Sequence, residues 1–175
     1  NRAESVARTF TAPAACGGDA QGACAAGAAC GLAPCADAAD CQRVADRLHA
    51  AGIAPTRQRR TIGAMLLCAP VHVTAEQVVR AAQHPAVRVS RATVYSTLRL
   101  FTEHGLLREL PIEGAETVYD STTTPHHHFY DVVTGEVCDI DDAALQIAGL
   151  EALAAGWDIQ GVEVVVRARR RTDQA

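Results

Sequence analysis

The stretch SRATVYSTLRLFTEHGLLREL, residues 90–110, decides the fold. Ser90 is a helix N-cap residue, because its hydroxyl can accept from a backbone N–H of the first turn. Val94, Leu98 and Phe101 then recur at helical spacing and form one apolar face. Arg91, Tyr95 and Arg99 are left for another surface, and Gly105 is a stop that closes a helix over 91–104. Beyond it, Leu106–Pro111 and Glu116–Asp120 flank Glu113-Gly114, the signal of a hairpin.

Upstream, three further helices can be read by the same rules. Val44, Leu48 and Ala51 share a helical face that Gly52 ends. Thr56 caps a helix carrying Arg57, Arg59, Ile62, Met65 and Leu66. Thr74 followed by Gln77 is a capping box opening a helix over 75–82. Helices followed by a small hairpin predict a winged helix-turn-helix, with 91–104 as the recognition helix.

The chain after this unit is patterned differently. Phe129–Val132 and Glu136–Ile140 are strand-like around the turn Thr134-Gly135. A helix is predicted over 142–155, with Leu145, Ala148 and Leu153 towards the core, and a β-branched strand over 162–166. So small a β-β-α-β unit needs a partner to cover its sheet, which predicts a homodimer. The expected class is α+β: a flexible Ala/Gly/Cys-rich extension over 1–36, a winged-helix DNA-binding domain over 37–121, and a small α/β dimerisation and metal-sensing domain over 122–175.

Composition supports a folded regulator. The 175 residues are 49% hydrophobic and 21% charged, a globular balance. No run approaches the roughly 18 apolar residues of a membrane span, and no basic stretch leads into an apolar run near Asn1, so a cytoplasmic protein is expected. Net charge is −4, yet it is split. From Arg43 to Arg108 there are ten Arg against three acids, 10 − 3 = +7; from Glu109 to Val166 there are twelve acids and no basic residue, −12. Only the first half is suited to a polyanion such as double-stranded DNA.

The chemistry concentrates at Pro125-His126-His127-His128. In extended backbone His126 and His128 face one way and His127 the other. A lone pair of this kind is more often a polar loop than a site. Here Asp120 ends the preceding hairpin, Asp139 can return beside His128, and His72 precedes the capping box. Three nitrogens and two carboxylates suit Fe(II), Mn(II) or Zn(II), and the oxygen share tilts the set towards iron or manganese.

PTRQR (55–59), HVTAEQV (72–78), residues 90–110, TVYD (117–120) and PHHHFYDVVTGEVCDI (125–140) together resemble the ferric uptake regulator family over roughly residues 40–170. By that resemblance His72, Asp120, His126, His128 and Asp139 match the five positions of the regulatory metal site in its peroxide-sensing branch. Ser90, Arg91, Thr93 and Tyr95 fall on the recognition helix, and Arg57 on a helix that approaches the DNA backbone. Tyr95 is then placed to touch thymine methyls, and the arginines to meet phosphates or guanine edges.

Two departures from the family pattern matter. Many members hold a structural zinc with two C-x-x-C pairs; here the first pair would fall near Asp131 and Thr134, and no Cys follows Cys138, so no such zinc is expected. The triple His and the ending GVEVVVRARRR also resemble the iron response regulator branch, which implies haem control and gives His127 a reading as haem or second-metal ligand. The extension carries Cys16, Cys24, Cys30 and Cys35, with Cys41 beyond it, and no C-x-x-C spacing. Their thiols are expected to stay reduced. Cys68 and Cys138 sit in apolar contexts and are expected to be core thiols.

The function implied is a repressor that senses Fe(II) or Mn(II), and by extension peroxide, on an AT-rich inverted repeat. The alternative is a haem-responsive iron response regulator. A mononuclear metal enzyme is disfavoured, because five protein ligands leave little open coordination and no separate acid or base stands near.

Overall fold

Local capping chemistry sets the first half of the molecule. The computed structural model describes residues 38–83, 88–112, 114–141 and 144–169, so the cysteines at 16, 24, 30 and 35 lie outside the described residues. Helix α1 (Ala38–Ala50) ends at Gly52, whose φ of 74° is left-handed, and it contains Cys41. Helix α2 (Arg57–Leu66) is capped by the Thr56 side chain, which accepts from Arg59 N. Helix α3 (Ala75–Ala82) opens with both halves of the capping box: Gln77 N donates to Thr74 Oγ1, and Gln77 Oε1 accepts from Thr74 N at 2.7 Å. Ser90 caps α4 (Arg91–Glu103) through Thr93 N. Each such cap is worth about 1 kcal/mol, so these helix starts are fixed by a few neighbouring residues.

The apolar faces of the four helices meet in one core. Val44 and Leu48 of α1, Ile62 and Leu66 of α2, Val78 of α3, and Val94, Leu98 and Phe101 of α4 are all buried in it.

Against this bundle lies an antiparallel sheet of three short strands: β1 (His72–Thr74), β2 (Arg108–Leu110) and β3 (Val118–Asp120), ordered β1-β3-β2. The hairpin β2–β3 is the expected wing. Strand β1 was not expected. It extends the wing by pairing His72 with Asp120 and Thr74 with Val118.

A second sheet is ordered β5-β4-β6. Strand β4 (His127–Asp131) pairs antiparallel with β5 (Val137–Ile140) and parallel with β6 (Val165–Ala168). Leu110, Ile112 and Val118 from the wing pack with Tyr130 and Val137 from this sheet. One apolar cluster therefore joins the two sheets and brings their edge residues into reach.

Two expectations are corrected. Of the helix predicted over 142–155, the described residues 144–155 form only α5 (Leu150–Leu153), after Gly149 at φ 89°. Leu153 is 72% exposed, Ala148 is exposed and Leu145 only half-buried, so the predicted buried face is not built in this chain alone. The apolar spacing is real, but Gly149 in a left-handed conformation breaks the helical period. Cys68 is exposed rather than a core thiol, because it follows the end of α2; Cys138 is half-buried in β5.

Candidate metal centre

Strand register assembles the site from two rows. Across the first sheet, His72, Asp120 and Arg108 stand in one row, since Asp120 is the Cα partner of both others. Across the second sheet, His128 is the Cα partner of Asp139. His126 lies two residues before His128 and so shares its side of the extended chain.

The ligand atoms of His72, His126, His128 and Asp139 lie within 4.8 Å of one another. Asp139 Oδ1 is 2.9 Å from His72 Nε2, 2.9 Å from His126 Nε2 and 3.8 Å from His128 Nε2. The rings of His126 and His128 are tilted, with centroids 4.3 Å apart. Asp139 is therefore the anion on which three imidazoles converge.

Asp120 borders this group. It is fully buried, and its oxygens are 3.5 to 3.6 Å from Nε2 of all three histidines. Both oxygens are already engaged. Thr122 N donates to Oδ1 at 2.7 Å, and Arg108 Nε donates to Oδ2 at 2.8 Å. The structure thus brings together four of the five expected ligands and sets the fifth beside them, paired with an arginine.

Both carboxylates stay ionised. Burial pushes Asp139 up, but the hydrogen bond and charge of His72, with the charge of His126, outweigh it and hold the group at about 2. Burial likewise raises Asp120, and hydrogen bonds from His128, Arg108 and Thr122 bring it below the usual carboxylate range. A pair of anions ringed by imidazoles favours a cation at the point they share.

The donor set fits a divalent transition ion. His72 Nε2 is buried, 2.9 Å from Asp139 Oδ1 and 3.6 Å from Asp120 Oδ1, so it is aimed at the two carboxylates rather than at solvent. His126 Nδ1 lies 2.8 Å from Thr124 O, the backbone acceptor that would hold an Nδ1 proton were Nε2 to ligate a metal. Ligands held about 2.1 Å from an ion span at most about 4.2 Å, so a group spread over as much as 4.8 Å would draw together by about 0.6 Å or more on an ion.

His127 points away, as the alternation requires. Its Nδ1 accepts from Val164 N at 3.3 Å, and it lines a cavity of about 370 Å³ with Pro125, Leu145, Ile147, Leu150 and Val162.

The expected DNA-contacting residues lie on α2 and α4. Arg57 is exposed at the first turn of α2. Ser90 and Thr93 are occupied with each other, Oγ to Oγ1 at 2.8 Å, in capping α4. Arg91 and Tyr95 are exposed, and both are held by Glu76 of α3. Tyr95 Oη donates to Glu76 Oε1 at 2.7 Å, Arg91 Nη1 donates to Oε2 at 3.0 Å, and Arg91 Nη2 also reaches Oε1.

Glu76, Arg108, Thr124 and Glu163 were not singled out as site residues in the sequence. For Arg108 a signal existed: once the hairpin is placed, a basic residue in its first strand must face the carboxylate that ends its second.

A winged helix with a three-histidine, carboxylate-centred cation site where its wing meets a second sheet defines a metal-responsive DNA-binding regulator. A model of the ferric uptake regulator family matches residues 50–167, and the chain belongs to that family. The peroxide operon regulator of Bacillus subtilis (strain 168) is 29% identical over 125 residues, covering 67% of this chain and 86% of that one. A peroxide-responsive repressor of Staphylococcus aureus (strain Mu50) is 32% identical over 92 residues, 53% of this chain and 62% of that protein.

Among solved structures, the Vibrio cholerae ferric uptake regulator superimposes with a TM-score of 0.61 at 25% identity, covering 72% of this chain and 98% of that one. The manganese-containing regulator of Pseudomonas aeruginosa gives 0.57 at 28%, covering 73% and 97%. The protein is a metal-dependent transcriptional repressor that binds DNA and acts as a dimer, and it is not an enzyme. The haem-responsive alternative is not favoured, since the Bacillus and Staphylococcus relatives are peroxide regulators. Among the described residues no helix is long and apolar enough to cross a membrane.

Proposed function

We propose that the repressor is switched by Fe(II) or Mn(II) at His72, His126, His128 and Asp139, with Asp120 alongside, and that the iron form senses peroxide. The observation that carries this reading is the convergence of three imidazoles and a carboxylate from both sheets within 4.8 Å. A bound ion would supply positive charge at that point and, with iron, a redox centre. The chain's own part is to hold the angle between its halves, residues 37–121 and 122–175. His72 belongs to the winged-helix sheet, His128 and Asp139 belong to the second, and His126 lies one residue before β4. Ligation energy available only when these sheets close favours one arrangement of the recognition helices.

In that arrangement two copies of α4 address the half-sites of an AT-rich inverted repeat. Tyr95 would lie on thymine methyls, while Arg57 and Arg91 would meet the backbone. The mixed nitrogen and oxygen donor set suits iron or manganese over a thiolate-preferring ion. The Pseudomonas relative's structure holds manganese, which supports the choice.

Peroxide treatment of the iron-loaded protein tests the sensing half of this proposal. Peroxide transfers one oxygen atom to an imidazole carbon and leaves as water. Peptide mass spectrometry should show the added oxygen on His72 or His126, with DNA released, and no such change in the manganese form. Unmodified histidines in iron-loaded protein that still releases DNA would remove the proposed route.

A further inference from the structure

Arg108 places a permanent cation inside the group that a metal would occupy. Its side chain is only 17% exposed. Nε donates to Asp120 Oδ2 at 2.8 Å and Nη1 donates to Glu163 Oε1 at 2.5 Å. Nη2 lies 3.2 Å from His126 Nδ1 and 3.4 Å from His128 Nε2.

A guanidinium has five donors, no acceptor, and does not lose its proton in proteins. Its Nη2 stands 3.4 Å from His128 Nε2, the nitrogen through which His128 would ligate, and so sets a positive charge where an ion would approach. It also neutralises Asp120, a fully buried carboxylate that would be costly to leave without a cation. A divalent ion ligated by His128 must therefore displace Nη2, and an ion that recruits Asp120 must also break the Nε contact. Like charges at this spacing repel, and the half-exposed Glu163 is already in place to keep the displaced guanidinium paired.

We infer that Arg108 is a resident counter-cation of the metal-free centre, which competes with the incoming ion and yields to it by moving onto Glu163. The inference rests on the metal-centre reading above. It assigns two positioning residues. Arg108, on β2 of the wing, sets how much free metal is needed to fill the site. Glu163, on the segment entering β6, receives the guanidinium when the site fills. The same arginine links Asp120 of the wing to His126 and Glu163 beside the second sheet.

The test is Mn(II) affinity, measured by competition with a fluorescent chelator on the full chain. The proteins compared are wild type, Arg108→Met, Glu163→Gln and the double variant. Arg108→Met, which keeps the alkyl length and removes the charge, should bind roughly tenfold more tightly or better, the scale on which outer-shell partners act. Glu163→Gln should bind more weakly, and should have no effect once Arg108 is gone, a coupling the double-mutant cycle isolates.

Equal or weaker binding by Arg108→Met in a folded protein overturns the inference. So does unchanged or tighter binding by Glu163→Gln, whose exposed position keeps that arm informative even where Arg108→Met does not fold. A wild-type protein that takes up no Mn(II) overturns the metal-centre reading itself, and is thereby distinguished from a wrong sign in either variant.

Discussion

His72 and Asp139 stand on different sheets, yet His72 Nε2 lies 2.9 Å from Asp139 Oδ1. That contact ties the wing sheet to the second sheet. On this account His72→Ala lowers Mn(II) affinity by roughly a hundredfold or more, beyond the tenfold to hundredfold typical of losing an outer-shell partner. Chelator competition reads the change, with circular dichroism confirming that the variant folds. Wild-type affinity in a folded His72→Ala protein would show that His72 is not a ligand.

Glu76 occupies Arg91 and Tyr95 before DNA arrives, and Arg91 also lies over the Tyr95 ring at 5.4 Å. The hydrogen bond from Tyr95, then that from Arg91, lowers the Glu76 pKa. Phosphates must compete with this carboxylate. Glu76→Gln is expected to raise affinity for non-operator duplex several-fold. It should also steepen the salt slope by up to about 0.9, the increment of one phosphate contact. Anisotropy titrations at several salt concentrations measure both, and an unchanged slope would mean Arg91 does not meet phosphate.

Acid should act on the metal-free protein through Asp139. Its carboxylate is depressed from 3.8 to about 2, so its contribution to stability is complete above the unfolded value and is lost as pH falls through about 2. Urea midpoints of wild type should therefore decline between pH 4 and 2, a window set by these two values. Asp139→Asn should show a shallower decline there. Superimposable profiles would mean that the histidines do not hold this carboxylate in solution.

Gly63 is needed for packing. A Cβ there would meet Val44 Cγ1 at 2.7 Å, and Val44 is β-branched and 1% exposed, with little room to turn. Alanine gains about 1 kcal/mol of helix propensity, but overpacking a tight core costs about 1 to 3 kcal/mol. Gly63→Ala should be net destabilising, by about 1 kcal/mol. In a Val44→Ala background the same change should become stabilising. Thermal melts of the four proteins give the cycle.

The legible parts of the fold are those that neighbouring residues decide. Thr56, Thr74 with Gln77, and Ser90 start their helices where their side chains can reach backbone N–H groups three residues on. Alternation alone put His126 and His128 on one side and His127 on the other. What escaped depends on distant partners. The three residues His72–Thr74 carry too little pattern to declare a strand, and become one because Val118–Asp120 offers them an edge. The predicted helix over 142–155 shrinks because Gly149 adopts φ 89°, a backbone state that apolar spacing does not report. Arg108 was visible as part of the basic half, but its place against Asp120 follows from hairpin register, and its bond to Glu163 from how the two sheets meet.

Coupling between metal and DNA is the central claim, and fluorescence anisotropy on an AT-rich inverted-repeat duplex tests it most directly. The protein is titrated metal-free and then with Mn(II), at one fixed salt concentration because phosphate contacts make affinity steeply salt-dependent. The account predicts that Mn(II) tightens binding about tenfold or more, a coupling of about 1.4 kcal/mol. Equal affinity with and without Mn(II), in protein shown to hold the ion, would contradict it.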